Sequence, residues 1–285
     1  MPNDDHEQEL TRKERREQAR SQRKEVEEMH AVSEARKRRL TILAGVVVVV
    51  VVVVVIIAVA GGGGKSTAEP TANKSHAEIT ESQEQVNETL AGTKQAANVL
   101  GDPNAPVTLQ YFGDLECPIC REFTLGALPD IIKKWVKTGK VKIEYRSLST
   151  ATGNAEGDGS EPSGTFKSQQ AAALAAGKQD KMWDYVELFY HQQGEEDSGY
   201  VTEDFIKGIA KQIDGLDLAK WEEDRKDPAF AAQIEEDANV AAREGFTGTP
   251  SFLIGKSGAT PHRLEPSSLT EAGAFDEEIE KLLKA

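Results

Sequence analysis

Residues 40–60 carry no charge: Leu-Thr-Ile-Leu-Ala-Gly, ten consecutive valines, then Ile-Ile-Ala-Val-Ala. An apolar run of 21 residues is too long for a core strand of a water-soluble domain. As a helix it would span roughly 30 Å, enough to cross the hydrocarbon core of a bilayer. Arg36-Lys37-Arg38-Arg39 abuts its N-terminal end. The far side opens with Gly61 to Gly64 and has Lys65 as its one early basic residue. The positive-inside rule then places the N-terminus in the cytoplasm and the rest of the chain outside. Ala58-Val59-Ala60 has the small-x-small form that signal peptidase cuts. The apolar stretch exceeds a usual signal core, however, and 39 residues precede it, so the segment reads as an uncleaved signal anchor. Either way the bulk of the chain is exported, where disulfides form and persist.

This run divides the chain into four parts. Residues 1–39 hold 11 basic and 10 acidic side chains and read as a charged cytoplasmic tail, a solvated helix or disordered. Residues 40–60 are the transmembrane anchor. Residues 61–97 open with four glycines and read as a flexible linker, with a helix over Glu78–Gln95. Gly64-Lys65-Ser66 imitates a phosphate loop, but Val59 stands where that motif needs glycine. From Asn98 to residue 285 the composition becomes globular. Residues 61–285 carry 23 basic and 38 acidic side chains, a net of −15, which excludes a nucleic-acid role because such binding needs clustered Lys and Arg.

Within the globular part, Val107–Gly113 and Val141–Leu148 read as strands. Pro118–Thr138 between them reads as a helix kinked near Pro129. Residues 149–164 are rich in Gly, Ser and Thr and read as a loop. Residues 165–245 read as consecutive helices with no strand. The last of these is capped by Asp227, with Pro228 at its first position, Gly245 at its stop, and Phe230, Ile234, Ala238 and Ala241 on one face. Ser251–Ile254 suits a buried strand. The closing helix gathers Phe275, Ile279, Leu282 and Leu283. This order is an α/β layout with a helical insertion at about 165–245. Trp135, Trp183, Trp221, Phe123 and Tyr190 read as core, and His191 receives no role.

The chain has two cysteines, Cys117 and Cys120, three positions apart. A disulfide scaffold needs several cysteines spread along the chain. A zinc site needs about four ligands, and none of His6, His30, His76, His191 and His262 lies at ligand spacing from the pair. No metal or cofactor is implied. Thiol–disulfide exchange needs an exposed thiolate and a second thiol close enough to resolve the mixed disulfide. Cys-Pro-Ile-Cys at a strand-to-helix junction meets both needs. Cys117 sits where the helix dipole and unpaired N–H groups favour negative charge, and Cys120 lies one turn on. Cys117 is then the nucleophile and Cys120 the resolving thiol. The bland alternative is two core cysteines at helical spacing. Asp114 and Glu116 beside the nucleophile could tune its ionisation or form a solvated acidic rim.

Ala105-Pro-Val-Thr-Leu-Gln-Tyr-Phe-Gly-Asp-Leu-Glu-Cys-Pro-Ile-Cys120 resembles the opening of DsbA-like oxidoreductases, and Gly245-Phe-Thr-Gly-Thr-Pro-Ser-Phe-Leu-Ile254 resembles a second signature of that family. The resemblance covers about residues 98–285. It implies a thioredoxin-like fold with an inserted helical domain, here preceded by a single transmembrane helix. It also implies that Thr249–Pro250 is a cis bond facing the cysteines. There the Thr249 backbone could pair with an extended substrate segment as an added strand. The implied function is a membrane-anchored oxidoreductase that forms or exchanges disulfides in exported proteins, with a membrane quinone-linked reoxidant as partner. The chain departs from the best-known oxidases of the family in one respect: Pro-Ile replaces a dipeptide that contains His. A reductase or isomerase role therefore stays open. The competing class is a non-catalytic tethered peptide-binding module.

Overall fold

The computed structural model describes residues 75–152, 165–196 and 198–284. The charged tail and the apolar run 40–60 lie outside them. Among the described residues no helix is long and apolar enough to cross a membrane.

The folded domain begins earlier than the composition suggests. Helix α1 spans His76–Leu90, inside the stretch that reads as a linker. A capping box starts it: the Ser75 side chain accepts from Glu78 N, and the Glu78 carboxylate accepts the Ser75 N–H at 2.7 Å. Val86 and Leu90, four apart, are buried, so one face packs on the domain. The helix ends at Leu90 rather than Gln95, and Gly92 then adopts φ +72°, a conformation that glycine takes without strain.

Six strands form one sheet: β1 (Gln95–Ala96), β2 (Val99–Leu100), β3 (Val107–Gly113), β4 (Val141–Ser147), β5 (Ser251–Lys256) and β6 (His262–Leu264). Their spatial order is β1-β2-β4-β3-β5-β6. Central β3 pairs parallel with β4 and antiparallel with β5, which sets Tyr111 opposite both Tyr145 and Phe252. The β3–β4 crossover runs through α2 (Pro118–Leu125), α3 (Ala127–Ile131) and a π-helical turn, Ile132–Val136. The expected kink at Pro129 falls instead at Gly126. A Cβ there would lie 2.7 Å from both Glu122 O and Thr270 Cα, so only glycine lets these segments touch. Pro129 sits in the first turn of α3, where its missing N–H leaves no helical bond unmade.

After β4 come α4 (Phe166–Gly177), α5 (Met182–His191), α6 (Glu203–Ala210), α7 (Leu218–Asp224) and α8 (Ala229–Arg243). Among the described residues this block contains no strand. Asp227 Oδ1 accepts from Ala229 N at 2.9 Å, but the helix starts at Ala229 with Pro228 at the N-cap, one residue later than expected; Gly245, with φ +68°, follows the last turn as the local signal predicts. Its inner face holds Phe230, Ile234 and Ala241, but Asp237 takes the buried place expected of Ala238. The Asp237 carboxylate accepts from Arg146 Nη1 and Ser147 N, both at 2.9 Å, which satisfies a polar group that would otherwise be costly to bury. The closing helix α9 (Gly273–Lys284) buries Phe275 and Ile279. Phe123, Phe252 and Phe275 pack as a cluster with centroids 4.9–5.5 Å apart. Trp135, Trp183, Trp221, Phe123 and Tyr190 are buried as expected.

Candidate active site

Strand β3 ends at Gly113, and four residues later Cys117 forms the N-cap of α2 with extended backbone (φ −70°, ψ 119°). Pro118 occupies the first helical position, where its fixed φ suits the helix and no N–H is required. This turn leaves Cys117 at the helix's positive end and Cys120 one turn inward. Both are free thiols. Cys120 has no exposed surface and Cys117 has 6%, so attack is confined to one sulfur.

Across from them lies the turn before β5, where the Thr249–Pro250 bond is cis. The Cys117 thiol donates to Thr249 O at 3.4 Å. The structure thus brings Cys117, Cys120, Thr249 and Pro250 into one site from segments more than a hundred residues apart. Surroundings split the two thiols. Cys117 is held down at about 6, chiefly by the hydrogen bond from Cys120. Burial opposes this, while bonds from the Thr249 side chain and the Cys120 and Ile119 N–H groups add to it. Cys120 is pushed well above the ordinary thiol value, first by burial and then by Cys117.

Asp114 and Glu116 are not a solvated rim: both are buried. The Asp114 carboxylate accepts from the N–H groups of Glu116, Thr150, Ala151 and Thr152, and from the Thr152 hydroxyl, at 2.5–3.1 Å. It welds the loop after β4 to the cysteine turn. The Glu116 carboxylate accepts from Gln169 Nε2 of α4. Sequence reasoning misses several residues that support the site. Gln193 Nε2 donates to Leu115 O at 2.7 Å and Cys117 O at 3.1 Å. Arg121 Nε donates to Tyr190 O at 3.1 Å. Buried Tyr111 and Tyr190 meet hydroxyl to hydroxyl at 3.1 Å, and Tyr190 donates onward to Asp114 O at 3.0 Å. No local pattern marks these residues, because their roles arise from long-range packing. His191 ends α5 half-buried. Among the described residues no group of three or more His, Cys, Asp or Glu could hold a metal ion.

A family model described as thioredoxin matches residues 93–269, more than half of the chain. The chain belongs to the thioredoxin family. Its DsbA-like character, read from the two motifs, agrees with its relatives. Disulfide bond formation protein D of Bacillus subtilis is 27% identical over 178 residues, covering 60% of this chain and 74% of that protein. A probable disulfide bond formation protein D of Bacillus anthracis is 23% identical over 204 residues, covering 71% and 87%. Among solved structures, oxidised BdbD of Bacillus subtilis superposes with a TM-score of 0.52 at 24% identity, covering 68% of this chain and 98% of that one. At this identity the superposition speaks for the fold. With the cysteine pair and its helical insertion in place, the chain is a DsbA-like thiol–disulfide oxidoreductase.

Proposed function

We propose that this chain forms or exchanges disulfides in exported proteins, anchored through residues 40–60 with its catalytic domain on the outer side of the membrane. One observation carries the chemistry: a helix-end Cys117 whose ionisation is lowered to about 6, next to a fully buried Cys120. In the oxidising direction a substrate thiolate attacks Cys117 Sγ of the Cys117–Cys120 disulfide. The S–S bond breaks, and Cys120 leaves as a thiolate and takes a proton. A second substrate thiol loses its proton and attacks the substrate sulfur of the mixed disulfide, releasing Cys117 as a stabilised thiolate. The substrate gains one disulfide and loses two electrons, which this chain holds as its dithiol. Thr249, half-buried beside the cysteines, offers backbone on which an extended substrate segment can pair. Ile119, 41% exposed beside the nucleophile, adds an apolar contact.

A lowered thiolate favours the reduced chain and so makes its disulfide an oxidant. A value of about 6 lies between thioredoxin at about 7 and DsbA at about 3.5. The potential should then fall between about −270 and −120 mV. Equilibration of the intact chain against glutathione measures it. A potential below about −270 mV would make the chain a reductase. Exported proteins bearing cysteine thiols are the proposed substrates, and a quinone-linked membrane protein is the proposed reoxidant. Replacing Cys117 by serine separates this reading from a peptide-binding module: an oxidoreductase loses all turnover, whereas a binding module keeps its affinity and has no turnover to lose.

A further inference from the structure

A serine or aspartate at an N-cap fixes its own backbone through a strong side-chain bond to the first turn. Cys117 caps α2 with extended backbone (φ −70°, ψ 119°), but its sulfur is a weak acceptor and gives no comparable hold. The hold comes from outside the turn. Gln193, half-buried in the segment after α5, donates through Nε2 to Leu115 O at 2.7 Å and to Cys117 O at 3.1 Å. An amide nitrogen has two protons, and each carbonyl takes one. The two carbonyls belong to peptide planes on either side of the Glu116–Cys117 pair. A peptide unit is rigid, so fixing both planes fixes the φ and ψ of Glu116 and Cys117 between them. The middle plane is tied as well, because Cys117 N donates to Asp114 O at 3.1 Å. Gln193 is itself seated: a Cβ on the next residue, Gly194, would lie 2.6 Å from Tyr200 Cγ, so this segment presses on a buried ring.

We propose that Gln193 is a positioning residue for the redox centre: its amide holds the peptide planes on both sides of Cys117 and so keeps the sulfur at the open end of α2. Position matters there because the free N–H groups and the dipole of a helix act over its first turn only. Rotation about Glu116 or Cys117 would swing the sulfur away from that turn and from Thr249 O, now 3.4 Å distant. Helix α2 supplies one hold of its own, the bond from Arg121 N to Cys117 O at 3.2 Å. That bond leaves Glu116 and Leu115, which precede the helix, untouched. Gln193 reaches them from the helical insertion, as does Tyr190, whose hydroxyl donates to Asp114 O at 3.0 Å. The insertion thus holds the nucleophile of the thioredoxin-like part in place. Gln193 serves the exchange chemistry proposed above, and its role rests on that reading.

The test uses the intact chain with Gln193→Met, which keeps the length and loses both donors, and Gln193→Ala, which cannot overpack. Gln192→Leu is the control: it removes the neighbouring amide, which donates to Gln212 Oε1 at 2.7 Å and not to the cysteine turn. Ultraviolet thiolate absorbance is followed against pH in the reduced protein, well below its melting temperature, and the disulfide potential is measured alongside against glutathione. Gln193→Met should lower the thiolate-to-thiol ratio of Cys117 roughly fivefold at fixed pH, the size of one lost hydrogen bond. Gln193→Ala should shift it the same way but by less, because water can take the place of the amide. The disulfide should become correspondingly less oxidising in both, and Gln192→Leu should leave both values in place. A merely structural amide would lower the melting temperature and leave the titration of the folded protein where it was, and that outcome overturns the proposal. So does an equal shift in Gln192→Leu, which would show a loosened segment rather than held carbonyls. Should Gln193→Met fail to fold, Gln193→Ala decides by the same two readings. The titration reads the thiolate whether or not any substrate is oxidised, so a chain without turnover but with the expected shifts would sink the functional reading alone.

Discussion

Cys117 and Cys120 are the same side chain three positions apart, yet their surroundings move them in opposite directions. Cys117 caps α2, where bonds from the Cys120 thiol, the Thr249 side chain and two helix N–H groups favour its anion. Cys120 lies inside, among Tyr111, Phe123 and the rest of the core, where an anion would be poorly solvated. This asymmetry has a stability consequence with a definite sign. The folded value of Cys117 is about 6, while an unfolded thiol ionises at about 8.5. The reduced chain therefore gains stability from Cys117 as pH rises through about 6, in full above about 8.5, and loses it as pH falls again. Denaturant midpoints of the reduced chain and of Cys117→Ser should diverge in favour of the former between about pH 5 and pH 9. Midpoints that stay parallel would show that the thiolate is not favoured by folding. The second expectation at this scale concerns resolution. Cys120→Ser removes the thiol that releases a mixed disulfide, so a cysteine-bearing substrate should remain covalently bound to Cys117, visible as a mass increase that a reductant reverses. Release at the rate of the unaltered chain would remove Cys120 from the mechanism.

At the scale of elements, the break between α2 and α3 is a place where one atom decides the geometry. Gly126→Ala would drive a methyl against Glu122 O and Thr270 Cα, both 2.7 Å away. Overpacking against backbone costs about 1–3 kcal/mol, so a clear drop in the melting temperature is expected, and an unchanged one would mean that the Thr270 segment does not pack here. Helix α5 carries a second device. Glu187 is 1% exposed, and its Oε1 has no hydrogen-bond partner among the described residues. Burial first, and then the Asp184 carboxyl, push its carboxyl up to about 8. A raised acid favours folding fully at low pH, and that contribution is lost as pH rises from about 4.5 towards 8. Glu187→Gln should thus melt close to the parent at about pH 5 and above it at about pH 8, by on the order of a few kcal/mol; equal differences at both pH values would contradict a buried neutral acid. Much of this architecture is legible locally. The stop of α8 follows from Gly245, the alternation of β4 from its own side chains, and the redox pair from spacing and a strand-to-helix junction. What escapes is set by distant partners. Gly126 breaks its helix because Thr270 comes close, Asp237 is buried because Arg146 and Ser147 N meet it, and β6 is too short and polar to signal itself. Gln193 sits in a polar stretch with nothing to distinguish it until Leu115 and Cys117 are placed. The α1 start was readable as Ser75-x-x-Glu78, but the glycines upstream made the whole stretch resemble a tether.

At the scale of the whole molecule, the fold closes on itself within residues 75–284: α1 supplies its first core residues, Val86 and Leu90, and α9 its last, Phe275 and Ile279. Among the described residues, the groups placed at the cysteine site all lie between Tyr111 and Pro250. The proposed anchor then has a different task, which is to set location. Residues 61–285 carry a net charge of −15, so anionic lipid head groups repel the domain. Without a span it would leave the membrane and with it any membrane-bound reoxidant. These two roles come apart on truncation. A chain that begins at Glu69 should fold, titrate Cys117 with the same midpoint and oxidise a dithiol peptide in solution at an unchanged rate. The intact chain should stay with membranes through an alkaline wash, and protease added from outside intact cells should digest its domain. In cells, the shortened and exported chain should accumulate in the reduced form, because re-oxidation now requires a three-dimensional encounter with a partner held in the bilayer. A shortened chain that stays as oxidised as the intact one would show that the span serves no purpose in electron transfer, and an intact chain that washes free would remove the anchor itself.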